Sequence, residues 1–252
     1  MLHSDKLSAS IATRTRIGPR DFSPISAYDA TTLQAAQRSD ASSLAHSALA
    51  SFIEATQGVS YDRHTWAIVK YYYSAFYACR ALMLMRGVSI FYVGRSPFSL
   101  LSRAGCSISR EGGNSHSLTF EKFSQQFSAD PLLSQDINGL PPLDWLEENR
   151  NIASYKAAPF LDPAPNALFS KPAAKLRKHL ATYLTCDLSL YVFDPDHSMI
   201  SYPLKLIIKL NDEIQRLGLI KVQMANHYVT MLGSVNCFMP EFPMTLTAYD
   251  FK

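Results

Sequence analysis

The sequence predicts a mainly α-helical protein, with a bundle of four to five helices followed by a further, mostly helical C-terminal region. Apolar residues recur at three- and four-residue steps in four separate segments, which is the pattern of amphipathic helices. The links between these segments are short to medium in length, so successive helices are expected to pack side by side. The 252 residues suit one large domain or one domain with a substantial appendage.

The composition excludes several classes of protein. The four cysteines show no metal-ligand spacing, and we find no phosphate-binding glycine loop, so neither a metal nor another cofactor is expected. No apolar run reaches membrane-spanning length, and nothing suggests a disulfide framework, so a cytoplasmic protein is expected. The formal net charge of +3 permits an anionic partner without requiring one.

Residues 1–38 are predicted to form a flexible basic arm. Arg14, Arg16 and Arg20 give this segment local positive charge, and a solvated leader is favoured over an arm that binds nucleic acid. The apolar pattern becomes helical near Ser39, a candidate N-cap, and predicts a helix over 40–57.

The strongest predicted helix spans 64–87, HTWAIVKYYYSAFYACRALMLMRG. Its two adjacent apolar stripes indicate a helix that packs on more than one side. Arg80 projects from the buried side and therefore needs a partner. Arg80 either pairs with a carboxylate on the next helix, or extends its head group to the solvent at the edge of the bundle, or binds an anion as part of a functional site.

The rest of the chain is less regular. Residues 88–115 are mixed and include a turn-rich loop. Further helices are predicted over 116–129 and 142–156, and prolines then close the bundle domain, 39–165. In the C-terminal region, 166–252, we expect a basic helix with a solvated lysine face. A second helix is expected to be capped by Ser201, with Pro203 in its first turn. The intervening DLSLYVFDPD favours a short strand or an extended link, and the tail from Cys237 is unassigned.

Two segments resemble one protein family. VKYYYSAFYACRALMLMRGVS, residues 69–89, resembles the signature second helix of HEPN-like bundle proteins. Their last bundle helix often carries Arg followed by Ala-Asp-Tyr, which is similar to Arg150 followed by Ala153, Ser154 and Tyr155. The resemblance covers 40–160, and the remaining C-terminal part resembles the larger YaaC-like bacterial proteins.

The resemblance implies metal-independent RNA cleavage by a dimer, in a toxin–antitoxin or antiphage system. Active members carry an Arg and, four to six residues later, a His. The His supplies a base with a pKa near neutrality, and the Arg supplies a fixed cation for the phosphate. Here Tyr155 occupies the place of the His. A phenol with its ordinary pKa near 10 is a poor base, although it can donate a hydrogen bond or stack on a nucleobase.

The candidate site residues follow from this comparison. Arg150 and Tyr155 are the candidate catalytic pair, with His116, after a flexible glycine loop, as a distant substitute base. Arg80, Arg150 and Lys156 are the candidate nucleic-acid-binding residues. His179 is a weaker substitute base, expected to be exposed on the basic helix. Arg150 could instead form an ion pair with Glu147 or Asp144 at the helix end.

Two functions remain open. The first is an RNA-directed protein of a bacterial toxin–antitoxin or antiphage defence module, with a degenerate ribonuclease site. The second is a non-enzymatic, dimeric helical interaction protein of YaaC-like type. Its partner would be a second copy of the chain or a co-encoded protein.

Overall fold

The computed structural model describes residues 2–19, 21–156, 162, 166–186 and 188–218, together with 224, 225, 228, 230, 231, 248 and 249. The fold is mainly helical, which confirms the predicted fold class. The helices are α1 (His3–Thr15), α2 (Ala27–Ser60), α3 (His64–Met85), α4 (Ser115–Gln126), α5 (Pro142–Asn151), α6 (Leu176–Thr185), α7 (Leu188–Tyr191) and α8 (Ser198–Arg216). A π-helical segment, Ile152–Lys156, continues α5.

The described residues also include five short strands. They are β1 (Val88–Val93), β2 (Ser96–Leu101), β3 (Ser109–Arg110), β4 (Met224–Ala225) and β5 (Ala248–Tyr249). The first three form an antiparallel sheet in the order β1-β2-β3, and β4 pairs in parallel with β5. The chain divides into two compact units, a first unit of 1–44 and 79–126 and a second unit of 45–78 and 127–252. This division differs from the predicted boundaries at 38 and 165.

The first unit packs α1 on the β1–β2 hairpin, contrary to the predicted flexible arm. Its core comprises Ile11, Ala12, Ile25, Ala30, Leu33, Phe91, Phe98, Leu100 and Ile108. Ile11 is fully buried, and the partly buried Leu7, one helical turn earlier, packs against the same core. Because these two residues form only a short apolar stripe among Ser and Thr, the sequence pattern did not reveal the helix.

The β1–β2 hairpin was also missed. Val93 pairs with Ser96, so Gly94 and Arg95 form a two-residue connection. Gly94 has φ +62°, the left-handed conformation that such tight turns require and that glycine adopts at little cost. The segment predicted as mixed therefore contains a small antiparallel sheet between Val88 and Arg110.

Of the other predicted helices, α4 lies in the first unit and α5, α6 and α8 lie in the second, while the division of the chain at 44 and 78 runs through α2 and α3. Tyr71 of α3 is fully buried, and its hydroxyl pairs with Thr56 Oγ1 at 3.0 Å. Helix α8 begins at Ser198, so Ser201 lies inside the helix and is not its cap. The Ser201 hydroxyl donates to the carbonyls of Tyr191 and His197 at 2.9 and 3.0 Å. Pro203 likewise lies inside α8, beyond its first turn.

The segment DLSLYVFDPD contains the short helix α7 instead of the predicted strand or extended link. Of the unassigned tail from Cys237, Ala248 and Tyr249 form β5, and the remaining positions lie outside the described residues.

We expect Ile11→Ala to destabilise the protein by about 2–5 kcal/mol, because it removes a buried side chain from the core of the first unit. Chemical denaturation monitored by circular dichroism measures the change. Ser10→Ala, on the exposed side of α1, is the matched control and should be close to neutral. Equal stability of both variants would restore the flexible-arm interpretation.

Candidate functional site

Arg150 and Tyr155 lie at the end of α5 and in the π-helical segment that follows it. A π-helix pairs residues five positions apart, so Tyr155 follows Arg150 by one turn of the chain. Such segments occur frequently at functional sites, because the wider turn redirects side chains. The local geometry therefore brings together the two residues that the sequence singled out.

Tyrosine rings surround the Arg150 guanidinium. Its Cζ atom lies 5.2 Å from the ring centroid of Tyr72 and 5.9 Å from that of Tyr73. The ring centroid of Tyr155 lies 5.5 Å from the same Cζ atom. Nη2 donates to the Tyr73 hydroxyl at 3.4 Å, and Nη1 donates to Asn151 Oδ1 at 2.8 Å. Cation–π contacts with aromatic faces thus hold the guanidinium in place.

The Arg150 guanidinium forms no salt bridge in the part of the chain that the structure describes. Among the described residues, no carboxylate forms an ion pair with Arg150, so the predicted alternative pairing with Glu147 or Asp144 is not formed. Burial alone would lower the pKa of Arg150, but the Tyr73 hydrogen bond and the nearby phenols outweigh it and raise the pKa. Burial raises the pKa of Glu147, and Arg150 opposes that rise. Arg150 therefore carries a full positive charge.

A cavity of about 310 Å³ opens beside the guanidinium. It is lined by Thr65, Trp66, Val69, Tyr73, Arg150, Ala153, Ser154 and Tyr155. Trp66 is 57% exposed and Tyr155 is 74% exposed, so two aromatic side chains meet solvent at this site. The Thr65 backbone NH and hydroxyl each donate to Asp162 Oδ1 at 3.1 Å, which fixes one wall. The described lining contains no histidine, lysine or carboxylate.

The other predicted site residues are not part of this cavity. Arg80 belongs to the first unit, where Nη2 donates to Asp5 Oδ2 at 3.3 Å. The carboxylate partner comes from α1 rather than from the next helix. Burial raises the pKa of Asp5, and Arg80 opposes that rise. His116 also belongs to the first unit, and its backbone NH donates to Asn114 Oδ1 at 2.8 Å. The Lys156 side chain lies outside the described residues.

Sequence reasoning missed a cluster of histidine and tyrosine rings in the second unit. The Tyr183 hydroxyl and His197 Nδ1 are 2.6 Å apart. The ring centroids of His179 and His197 are 5.3 Å apart. His179 is half-buried rather than exposed as expected. Burial is the main cause of a lowered pKa in both histidines. No local spacing motif links residues 179, 183 and 197, so nothing in the sequence pointed to this cluster.

Comparisons with protein-family models, with curated proteins and with solved structures find no match to this chain. The HEPN-like resemblance therefore stays a prediction. In the described part of the chain, no three His, Cys, Asp or Glu side chains are grouped so that they could hold a metal ion. No helix within the described ranges combines the length and the apolar character needed to cross a bilayer.

We expect the protein to lose stability as the pH falls below about 6.5, the ordinary pKa of an unfolded histidine. Because the fold lowers the pKa of His179 and His197, the unfolded chain binds more protons in that range, and stability rises with pH. The free energy of unfolding of the wild type, measured between about pH 7.5 and pH 5, should fall more steeply than that of His179→Gln. His3→Gln, at the exposed start of α1, is the control. Identical slopes for all three proteins would show that the ring cluster does not contribute.

Proposed function

We propose that this protein is an RNA-directed, HEPN-like protein that binds single-stranded RNA at the Arg150 cavity and does not cleave it. The observation that carries this proposal is the pairing, in one cavity, of exposed aromatic side chains with a guanidinium that has no ion-paired carboxylate among the described residues. These are the two kinds of group by which proteins hold single strands, a cation for the backbone and ring faces for the bases.

Arg150 supplies the phosphate contact. Its planar guanidinium can donate two parallel hydrogen bonds to phosphate oxygens, which gives orientation as well as attraction. The tyrosine rings hold the cation and leave its charge in place, whereas a carboxylate would cancel that charge. The cation is therefore both fixed in position and available to an anion.

Trp66 and Tyr155 supply the base contacts. Unstacked RNA bases bind on aromatic side chains, and stacking tolerates different bases because each has a π-face. The volume of the cavity, about 310 Å³, lies within the size range of small-ligand pockets. We expect the cavity to hold one nucleotide unit. We therefore expect binding with little sequence preference and with a marked dependence on salt.

The described lining supports binding rather than cleavage. Attack by the ribose 2′-hydroxyl needs a base with a pKa near neutrality. Among the described lining residues, the side chains that could exchange a proton are Arg150, Tyr73 and Tyr155. An arginine keeps its proton, and a phenol is a poor base near neutral pH. The degenerate-site interpretation of the sequence is therefore the one we propose.

The cellular setting rests on the resemblance alone. A bacterial toxin–antitoxin or antiphage module, a cytoplasmic location and a homodimer stay predictions. The competing proposal is a non-enzymatic interaction protein, and the replacement of the usual His by Tyr155 is compatible with both proposals. RNA binding that depends on Arg150 separates the two, because a protein-docking surface does not need that contact.

We expect Arg150→Ala to weaken binding of a labelled single-stranded RNA by about tenfold to a hundredfold, the value of a lost charge-assisted hydrogen bond. Fluorescence anisotropy at several salt concentrations measures this change, and the salt slope should also fall. Arg63→Ala is the matched control, since Arg63 lies 5.7 Å over the Tyr61 ring but does not line the cavity.

The same samples test for cleavage by gel electrophoresis. The RNA should stay intact with the wild type and with both variants. Cleavage by the wild type that is lost in Arg150→Ala would contradict binding without catalysis. Equal affinity of the wild type and Arg150→Ala would contradict the proposed site and favour the interaction protein.

We expect Trp66→Ala to weaken RNA binding by about 1–3 kcal/mol, the value of one base stacked on an aromatic ring. Tyr61→Ala removes a similarly exposed aromatic outside the cavity and should have little effect. Because Trp145 is buried, quenching of tryptophan fluorescence by RNA should report mainly on Trp66. RNA binding that leaves tryptophan fluorescence unchanged would place the bases elsewhere.

A further inference from the structure

A second cavity, in the first unit, combines positive charge with apolar surface. Its volume is about 240 Å³, and its lining comes from α1, the turn that follows α1, and the three strands β1, β2 and β3. All of the lining residues belong to this one compact unit. The described lining contains two arginines and no acidic residue, and the members that bear on binding are Arg16, Pro19, Phe22, Ser96, Phe98 and Arg110.

The turn after α1 holds Arg16 at the rim of the cavity. Arg16 Nε donates to Gly18 O and Arg16 Nη2 donates to Pro19 O, each at 3.2 Å. Arg16 also pairs with Phe22 in an antiparallel β-bridge, which places the two residues opposite each other across the turn. Backbone carbonyls carry no net charge, so these hydrogen bonds fix the guanidinium and leave its positive charge in place.

Arg110, on β3, supplies the second cation. Its Nη2 donates to Ser96 Oγ at 3.4 Å, and both residues belong to the lining. The adjacent Glu111 carboxylate pairs instead with Lys122 Nζ at 2.7 Å. Within the described residues, neither Arg16 nor Arg110 forms an ion pair. A guanidinium has five N–H groups, so each arginine keeps donors from which an anion can accept.

Two phenylalanine rings form the apolar part of the lining. Phe22 and Phe98 contact edge to face, with ring centroids 5.6 Å apart and an interplanar angle of 82°. Phe98 is buried and stacks on Phe91 of the core, with ring centroids 5.9 Å apart, so its position is fixed. Phe22 is half-buried, and part of it stays open to solvent beside the cavity. Because aromatic rings pack well on one another in stacked and edge-to-face arrangements, this lining suits a flat organic ring.

We propose that this cavity binds a small aromatic carboxylate, with the carboxylate on Arg16 and Arg110 and the ring on Phe22. A guanidinium binds a carboxylate through two parallel hydrogen bonds, which orient the ligand as well as attract it. The volume lies below the range of about 300–1,000 Å³ that is usual for drug-sized ligands, so a ligand with a single ring fits better than a nucleotide. This site lies within the first unit and does not depend on the proposed RNA site.

Isothermal titration of the full chain with benzoate, phenylacetate, acetate, phenylacetamide and phenyl phosphate tests the proposal. Benzoate or phenylacetate should bind at least about tenfold more tightly than acetate, which lacks the ring, and than phenylacetamide, which lacks the charge. Acetate or phenylacetamide binding as tightly as both aromatic carboxylates would overturn the proposal. Failure of both aromatic carboxylates to bind at low salt would also overturn it. Phenyl phosphate binding more tightly than both would overturn the choice of a carboxylate.

Variants assign the binding to this cavity. Arg16→Ala and Arg110→Ala should each weaken binding of the tighter aromatic carboxylate by about tenfold or more, and Arg16→Lys should weaken it less because it keeps the charge. Both arginines are exposed, so the variants are expected to fold, and circular dichroism checks that they do. Arg103→Ala, at an exposed arginine of the same unit outside this cavity, is the control. Loss of affinity in Arg103→Ala equal to that in Arg16→Ala would show non-specific attraction and overturn the assignment, as would unchanged affinity in both cavity variants.

Discussion

The burial of α3 is the constraint on which the rest of the structure depends. This helix is apolar on almost every side, and its sequence contributes fully buried side chains to both compact units. A tyrosine packed on such a helix needs a hydrogen-bond partner for its hydroxyl, whereas a phenylalanine does not. The Tyr71 hydroxyl pairs with Thr56 Oγ1. The Tyr73 hydroxyl accepts a hydrogen bond from Arg150. The packing of α3 therefore also determines where Arg150, and with it the candidate site, lies.

The same constraint explains the charge state of the site. A partly buried guanidinium needs compensation, and a carboxylate would supply it by cancelling the charge. Ring faces supply it through their quadrupoles and leave the net charge in place. α3 provides two of these rings, and the π-helical segment after α5 provides the third. An arginine held in this way can attract a phosphate, whereas Arg80, which contacts Asp5, is already matched by an acid.

The sequence predicts an element well where the residues that stabilise it lie close together along the chain, and poorly where they are distant. Helix α3 was predicted over 64–87 and forms over 64–85, since its two apolar stripes are a local signal. Arg150 and Tyr155 were selected from a motif within six residues and do lie together. Helix α1 was missed because the burial of Ile11 depends on Phe91 and Phe98, which are distant in sequence. The β1–β2 hairpin had a usable signal, the short run VSIFYV, rich in β-branched and aromatic residues, before Gly94.

The candidate site shows the same limit. The sequence could associate Arg150 with Tyr155, but not with Tyr72, because that contact requires two helices to pack side by side. A carboxylate partner for Arg80 was one of the predicted alternatives, but the acid lies in a segment predicted to be a flexible arm and not on the next helix. The cluster of His179, Tyr183 and His197 joins positions that carry no common motif. Its members become neighbours only when α6 packs near the start of α8.

Position 155 itself favours recognition over catalysis. A general base acts best where water is excluded and its pKa can be tuned by burial and by neighbouring charges. Tyr155 is 74% exposed, so water reaches its side chain freely. Exposure is what a stacking platform requires, because a base must approach the ring face from solvent. In the RNA-binding function that we propose, Tyr155 would offer a contact surface at the place where active HEPN-like proteins carry a proton-transfer group. Arg150, which forms no salt bridge with a carboxylate among the described residues, would then orient the RNA by binding the adjoining phosphate.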